Sequence, residues 1–319
     1  MTSVVDAFRR ARIDAGRHMR SCERAQIRWG ETAVTEVVIS RAAEAVSVVP
    51  FTPPAEALSG ADWIWWWLDA NGAFGMLVQA KRVTITHPDR WSFGFDYRRG
   101  TRLQKRALMS TASRLGLMPV YALYLGTGEY RDWKRCPDGH RSGRCLQCEK
   151  RSVSLMPALL AEKASVVDSD STYDRSVALE DLMRPSPHSA PLIPTLQGQL
   201  PCELAEFLTT SQTGVRAVTR SMLDRVLKAR AGQLAQVGFP VGSVQGQGTH
   251  DDLGPIFGHT PADTGHWGVT YFEHVLRPLL HVPPSYVLEI ESGDFNRTDL
   301  PLEMSDVAGV IIVRLPNDG

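Results

Sequence analysis

The sequence predicts an α/β fold in which a mixed sheet is flanked by helices. Two strand-like runs rich in aromatic and aliphatic residues, 61–69 and 74–82, flank a turn that contains Asn71-Gly72, and Asn-Gly is a strong hairpin signal. Helical patterns precede this hairpin, and a helix and a strand follow it. The first run carries Trp65-Trp66-Trp67, which we expect to pack against the flanking helices, with base stacking as the second choice.

Two helices are predicted before the hairpin. Residues 3–29 alternate arginine-rich and apolar positions, which indicates a basic helix that ends at Gly30. Residues 31–45 form the second helix, and residues 47–52 form a first strand that ends before Pro53-Pro54. The apolar stripe of the second helix comprises Val34, Val38, Ala42 and Ala45.

Three polar residues are predicted to meet at one end of the hairpin. The pairing that brings Trp67 opposite Phe74 runs back to place Asp62 near Gln79 and Lys81. Because Gln79 and Lys81 are two residues apart, they point to the same face of the sheet. Burying a carboxylate, an amide and an ammonium there costs several kcal/mol unless they serve one another or a metal. A surface Asp-Lys ion pair at a strand end is the simpler alternative.

A helix and a strand are predicted after the hairpin and a loop over residues 86–95. The helix spans residues 97–115 and stops at Gly116, and the strand spans residues 119–125. Gln104 falls on the buried face of this helix, one turn before Leu108.

The spacing of Asp62, a hairpin and Gln79-Ala80-Lys81 resembles motifs II and III of the PD-(D/E)XK nuclease superfamily. The glutamine in place of the usual Asp or Glu resembles the Mrr-type restriction endonuclease branch of that superfamily. The order helix, three strands, helix, strand over residues 31–125 is also the superfamily's core order, αβββαβ. The resemblance therefore implies a restriction-endonuclease-like core.

The resemblance also implies a site for Mg2+ or Mn2+. Asp62 and a glutamate of the second helix would supply hard oxygen ligands, together with the main-chain carbonyl of Ala80. Helical phase places Glu31 at the edge of the apolar stripe and Glu36 nearer the opposite side. Glu31 is thus favoured as the ligand and Glu36 is the reserve. The alternative is that Glu31 binds no metal and only stabilises the helix, as acidic residues in the first turn commonly do.

The remaining polar residues of the motif would carry the chemistry. Lys81 would orient or deprotonate the attacking water and stabilise developing negative charge. Gln79 is neutral where the superfamily usually has Asp or Glu, so the site carries one negative charge fewer and its affinity for a metal should be weaker. Gln104 would support the site, as a glutamine on this helix does in related nucleases, unless its amide is satisfied within the core.

A cysteine-rich loop after the core predicts a structural zinc site. Four soft or imidazole ligands lie within thirteen residues and include a Cys-x-x-Cys pair. A set of free surface thiols is the alternative. The expected zinc ligands are Cys136, His140, Cys145 and Cys148. The basic residues expected to contact nucleic acid are Arg82, Lys134, Arg135, Arg141 and Arg144.

The chain is predicted to divide into three regions. Residues 1–130 form a nuclease-like domain with its N-terminal basic helix, residues 131–155 the zinc knuckle, and residues 156–319 a mixed α+β C-terminal region for nucleic-acid or partner binding. No motif in residues 156–319 indicates a particular reaction. Its elements are expected to be helices at 201–209, 215–237 and 269–280 and strands at 286–291 and 307–314.

Composition limits the function classes. The chain has 319 residues with 35 basic and 35 acidic side chains, so nucleic-acid binding requires the basic residues to be segregated. A long apolar run and a signal-peptide core are missing, which favours a cytoplasmic protein without a membrane partner. The leading hypothesis is a Mg2+-dependent DNA endonuclease, by resemblance in bacterial restriction or anti-phage defence. Double-strand cleavage would call for a homodimer. The alternatives are an inactive nuclease-fold module that binds nucleic acid or a protein, and an RNase.

Overall fold

The structure is a computed structural model of the whole chain. The residues it describes are 3–51, 61–87, 90–95, 98–99, 102–126, 145–162, 175–184, 200–237, 243–245, 254–261, 271–296, 304 and 307–316. No helix within these ranges is both long and apolar enough to cross a lipid bilayer.

Helices flank the sheet and are numbered here in chain order. They are α1 (Val4–Arg24), α2 (Glu31–Ala42), α3 (Gln104–Leu115), α4 (Leu146–Lys150), α5 (Cys202–Thr209), α6 (Gly214–Val237), α7 (Tyr271–Leu276) and α8 (Ser285–Ser292). Two short 3-10 helical segments, Ala158–Glu162 and Leu179–Asp181, follow strands of the main sheet.

The strands are numbered in the same way. They are β1 (Val46–Pro50), β2 (Trp63–Asp69), β3 (Gly72–Arg82), β4 (Thr84–His87), β5 (Arg90–Ser92), β6 (Arg98–Arg99), β7 (Arg102–Leu103), β8 (Met118–Tyr124), β9 (Val153–Pro157), β10 (Val177–Ala178), β11 (Ser243–Gln245), β12 (His259–Pro261), β13 (Leu279–Leu280) and β14 (Gly309–Arg314).

The main sheet is mixed and has the order β1-β14-β2-β3-β8-β9-β10, with β13 paired to β3. β2 and β3 form the antiparallel hairpin, and β3 runs parallel to β8. β14 lies parallel to β2 and antiparallel to β1. The predicted α/β fold with a mixed sheet flanked by helices is therefore confirmed. The sheet draws strands from each of the three predicted regions of the chain.

The tryptophan block of β2 lies in the core between helices on both faces of the sheet. Phe8 of α1 stacks on Trp65, with ring centroids 6.0 Å apart, and lies 5.8 Å from the ring of Trp67. On the opposite face, the indole N–H of Trp66 donates to the hydroxyl of Tyr286 at 2.7 Å. All three tryptophan rings are buried, so the predicted packing against helices is confirmed and these rings are not available for base stacking.

Several predicted boundaries shift in the structure. The basic helix ends at Arg24 rather than at residue 29. The third helix begins at Gln104 rather than at residue 97, because residues 98–99 pair with residues 102–103 as short antiparallel strands. The strand predicted at 286–291 is wrong, since α8 covers these residues. The run is short and rich in residues that favour strands, yet Tyr286, Val287 and Ile290 share one helical face that packs on the core.

Candidate functional site

The hairpin register places Asp62 beside the end of β3. Trp67 pairs with Phe74 as the sequence predicted, and the ladder continues one residue beyond β2, where the backbone N–H of Asp62 donates to Val78 at 2.9 Å. The Asp62 carboxylate then accepts the backbone N–H of Ala80 at 2.6 Å. This bond fixes one carboxylate oxygen at the end of the hairpin.

Gln79 and Lys81 follow on one face of β3 and are both buried. The Lys81 ammonium donates to the side-chain oxygen of Gln104 at 2.6 Å. Gln104 is the first residue of α3, so this helix holds the lysine from across the sheet face. Gln104 and Lys81, both predicted from the sequence as site residues, are thereby in direct contact.

The first residue of α2, Glu31, reaches the same end of β3. Its carboxylate accepts the backbone N–H of Arg82 at 2.9 Å. Glu36 lies five residues further along α2, roughly 140° around the helix, and is exposed. Of the two glutamates considered from the sequence, Glu31 lies at the cluster and Glu36 faces solvent instead.

Burial shifts the ionisation of all three charged residues. It raises the pKa of Asp62 to about 6, and the Glu31 carboxylate adds to this rise. Burial likewise raises the pKa of Glu31, although the Lys81 ammonium opposes the change. Burial lowers the pKa of Lys81, against the attraction of both carboxylates. The charges of Glu31, Asp62 and Lys81 are thus coupled in one partly desolvated cluster.

A buried hydroxyl pair that sequence reasoning missed supports this cluster. Thr35 of α2 and Tyr124 of β8 have their hydroxyl oxygens 2.7 Å apart. Because Thr35 donates its proton to the carbonyl of Glu31 at 2.9 Å, the Tyr124 hydroxyl must be the donor in the pair. The two bonds fix the first turn of α2, which carries Glu31, against the end of β8. The sequence signal that could have revealed this pair is the position of Thr35 next to the apolar stripe of α2.

Two carboxylates could hold a hard cation here. Each has one oxygen bound to a backbone N–H, and its second oxygen accepts no hydrogen bond from the described residues. Within the same part of the chain no three His, Cys, Asp or Glu side chains form a group that could hold a metal. Mg2+ usually takes one or two carboxylates and completes its shell with water and substrate phosphates. Asp62 and Glu31 are therefore the described residues that could share such a cation with a bound phosphate.

The predicted zinc knuckle falls largely outside the described residues. Cys145 occupies the N-cap position of α4, and Cys148 lies buried within the first turn of this helix. The zinc site stays a prediction. Outside the described residues lie its other two ligands and most of the predicted basic contacts, namely Cys136, His140, Lys134, Arg135, Arg141 and Arg144.

Arg82 is the predicted nucleic-acid contact that the structure describes. Its side chain is half-buried, and its guanidinium donates to the carbonyl of Trp29 at 3.2 Å. Arg82 therefore joins the end of β3 to the connection between α1 and α2, beside the carboxylate–lysine cluster.

Replacement of the two α2 glutamates tests which one belongs to the site. If this cluster holds a catalytic metal, Glu31→Gln should lower the metal-dependent activity roughly 10- to 100-fold, because it removes a charge coupled to Lys81 and Asp62. Glu36→Gln is the matched control on the same helix and should leave activity unchanged. Initial rates at saturating metal measure both effects, and equal losses in the two variants would contradict the assignment.

Fold and site together define an α/β protein in which one carboxylate beside the sheet and one from α2 meet a buried lysine at a strand end. Residues 4–297 match a family described as a family of unknown function, DUF6615. The chain belongs to this family. Neither a curated protein nor a solved structure matches the chain.

Proposed function

We propose that this protein is a metal-dependent endonuclease of the PD-(D/E)XK class that hydrolyses DNA phosphodiester bonds. The observation that carries the proposal is the meeting of Glu31, Asp62 and Lys81 at the end of the β2–β3 hairpin. A metal-dependent phosphodiesterase needs hard oxygen ligands beside a cationic side chain at the scissile phosphate. This cluster supplies both.

The arrangement of elements supports the proposed class. α2, β1, β2, β3, α3 and β8 follow one another in the order αβββαβ, apart from the short β4–β5 and β6–β7 hairpins. The antiparallel β2–β3 pair beside the parallel β3–β8 pair gives the mixed sheet of that class. In this proposal β14 is an additional strand, inserted between β1 and β2.

Asp62 and Glu31 would hold the cation through the oxygens that their backbone hydrogen bonds leave available. When bound, Mg2+ supplies Lewis-acid polarisation of the phosphate and lowers the pKa of a coordinated water. Gln79 contributes no charge, so the protein offers two carboxylates rather than three. Metal affinity should accordingly be modest and should increase when substrate phosphate is present.

Lys81 acts from the same end of β3. The bond to Gln104 limits the rotamers of its long side chain and directs the ammonium. Burial lowers the pKa of Lys81, which brings a lysine closer to the range in which it exchanges a proton near neutral pH. Its proposed role is to orient the attacking water, take its proton and balance the charge that develops on the phosphate.

Cleavage of supercoiled plasmid tests the proposal directly. We expect the wild-type protein to nick or linearise the plasmid with Mg2+ or Mn2+ and to lose this activity in EDTA. Asp62→Asn should lower the rate about 10²- to 10³-fold, because an amide keeps the bond to Ala80 but carries no charge for the cation. Asp69→Asn removes a carboxylate at the other end of β2, where both oxygens accept backbone N–H groups, from Asn71 and Val215. It therefore controls for effects on the fold, and the folded variant should cleave at a rate near that of the wild type.

The other outcomes of this assay separate the alternatives. Cleavage of single-stranded RNA in preference to plasmid keeps the chemistry and changes the substrate to RNA. DNA binding without cleavage, under every metal tested, rejects the endonuclease and favours an inactive nuclease-fold module. Equal losses in Asp62→Asn and Asp69→Asn would mean that the effect comes from the fold rather than from the site.

A further inference from the structure

The connection between α1 and α2 has a fixed backbone. We call residues 25–30 the α1–α2 turn. The backbone N–H of Gln26 donates to Glu23 at 3.0 Å, and that of Ile27 donates to Cys22 at 2.8 Å, which is the hydrogen-bond pattern of a Schellman motif. Gln26 occupies the left-handed position of this motif with φ of 56°. This position usually belongs to glycine, and here two backbone bonds hold a larger residue in it.

The fixed turn presents an apolar side chain to solvent. The residue at the position of Ile27 in such a motif frequently packs back onto the last turn of the helix. Ile27 is instead 63% exposed, the largest value among the exposed large hydrophobic residues that the structure describes. The backbone hydrogen bonds therefore hold an isoleucine pointing outward at a defined place.

Two exposed arginines flank this isoleucine. Arg24 and Arg28 are exposed and form no ion pair with the described acidic residues. Elsewhere on α1, Arg9, Arg10 and Arg17 are paired with carboxylates at 2.9 to 3.0 Å. The Arg28 guanidinium acts on the nearby Glu31 carboxylate, whose pKa burial raises and this arginine lowers, but the Arg24 and Arg28 side chains remain open to solvent, which suits contact with phosphates.

The turn is attached to the proposed active site. Trp29 is buried, and its carbonyl accepts the guanidinium of Arg82, the residue after Lys81. Glu31 begins α2 four residues after Ile27, so the two Cα atoms are at most about 14 Å apart. Ile27 therefore lies within the span of a duplex whose phosphate reaches the cluster.

We infer that the α1–α2 turn inserts Ile27 into the minor groove of duplex DNA at a base step beside the cleaved phosphate, with Arg24 and Arg28 on the flanking phosphates. An exposed apolar side chain on a basic support is the feature that proteins use to enter the minor groove, unstack a base step and kink the duplex. The inference rests on the proposed function, which makes DNA the ligand. It adds a residue that positions the substrate and favours easily unstacked steps.

Fluorescence of 2-aminopurine in a duplex tests the insertion, since this base brightens when it is unstacked. The duplex carries 2-aminopurine at several spaced positions and is mixed in EDTA with wild-type protein, so that no cleavage occurs. We expect bound wild type to raise the fluorescence and Ile27→Ala to abolish the rise and weaken binding about tenfold. Ile85→Ala removes another exposed isoleucine, 46% exposed on β4, and should behave as wild type.

The arginines give a second readout. Arg24→Gln and Arg28→Gln should each lower the slope of log affinity against log salt by about one, because each removes one phosphate contact. Ile27→Ala should leave this slope unchanged.

The outcomes separate this inference from the proposed function. A rise that persists in Ile27→Ala, or that Ile85→Ala also abolishes, overturns the insertion even if the wild type cleaves DNA. A rise that depends on Ile27 supports the insertion even if no metal gives cleavage, in which case only the endonuclease is rejected. Failure of the wild type to bind any duplex, both in EDTA and with added divalent metal, overturns both.

Discussion

Lys81→Met is expected to lower metal-dependent cleavage about 10²- to 10⁴-fold, the range that positioned acid–base groups contribute. Methionine has a similar length and removes the ammonium from a buried position. Because the charged form of Lys81 is disfavoured by burial, the neutral side chain should leave the unfolding temperature equal or higher. DNA affinity should change little, since one buried lysine contributes less to binding than the exposed arginines. Cleavage rates, thermal unfolding and filter binding measure the three quantities.

Lys81→Arg separates the two roles proposed for this lysine. Arginine stays charged at every usable pH, so it can stabilise charge on the phosphate but cannot take a proton from water. If Lys81→Arg is much more active than Lys81→Met, the positive charge of the side chain is what cleavage requires. If Lys81→Arg is as inactive as Lys81→Met, cleavage requires proton transfer by the lysine. Lys228→Met, at an exposed position of α6, is the control for loss of a lysine. A wild-type rate in Lys81→Met would contradict the assigned site.

The hairpin and its polar end could be predicted because local signals determine them. Asn71-Gly72 sets the turn, and the turn sets the register that brings Asp62 to Ala80. Glu31 could be separated from Glu36 because helical phase is also a local property. Each of these predictions needed only residues that are close in sequence or joined by a two-strand ladder.

The partners that the sequence could not predict are far apart along the chain. β14 enters the sheet between β1 and β2, and nothing local specifies a strand partner more than 200 residues away. At its start, a Cβ on Gly309 would lie 2.6 Å from the ring of Trp63, so glycine permits this close approach. The Thr35–Tyr124 bond joins residues that are 89 positions apart. Hydrogen-bond partners of single polar residues carry no periodic pattern.

The attachment of α1 to the core is a further long-range contact, and it involves two buried charges. The Arg12 guanidinium donates to the Glu180 carboxylate at 2.9 Å, and the two side chains are only 8% and 2% exposed. Glu180 lies in the 3-10 segment after β10. This ion pair therefore ties the helix that carries Phe8 and precedes the α1–α2 turn to the far edge of the sheet.

Arg12→Met is expected to lower the free energy of unfolding by about 3 to 5 kcal/mol, because it leaves the Glu180 carboxylate buried without its partner. The double variant Arg12→Met/Glu180→Met should recover most of this loss, since two apolar side chains can fill the space without a desolvated charge. Arg9→Met removes an exposed ion pair from the same helix and should cost less than about 1 kcal/mol. Urea unfolding at neutral pH measures all three. Equal losses for Arg12→Met and Arg9→Met would show that the Arg12–Glu180 pair is open to water. A double variant that recovers none of the loss would show that attraction across the pair outweighs the desolvation of its two charges.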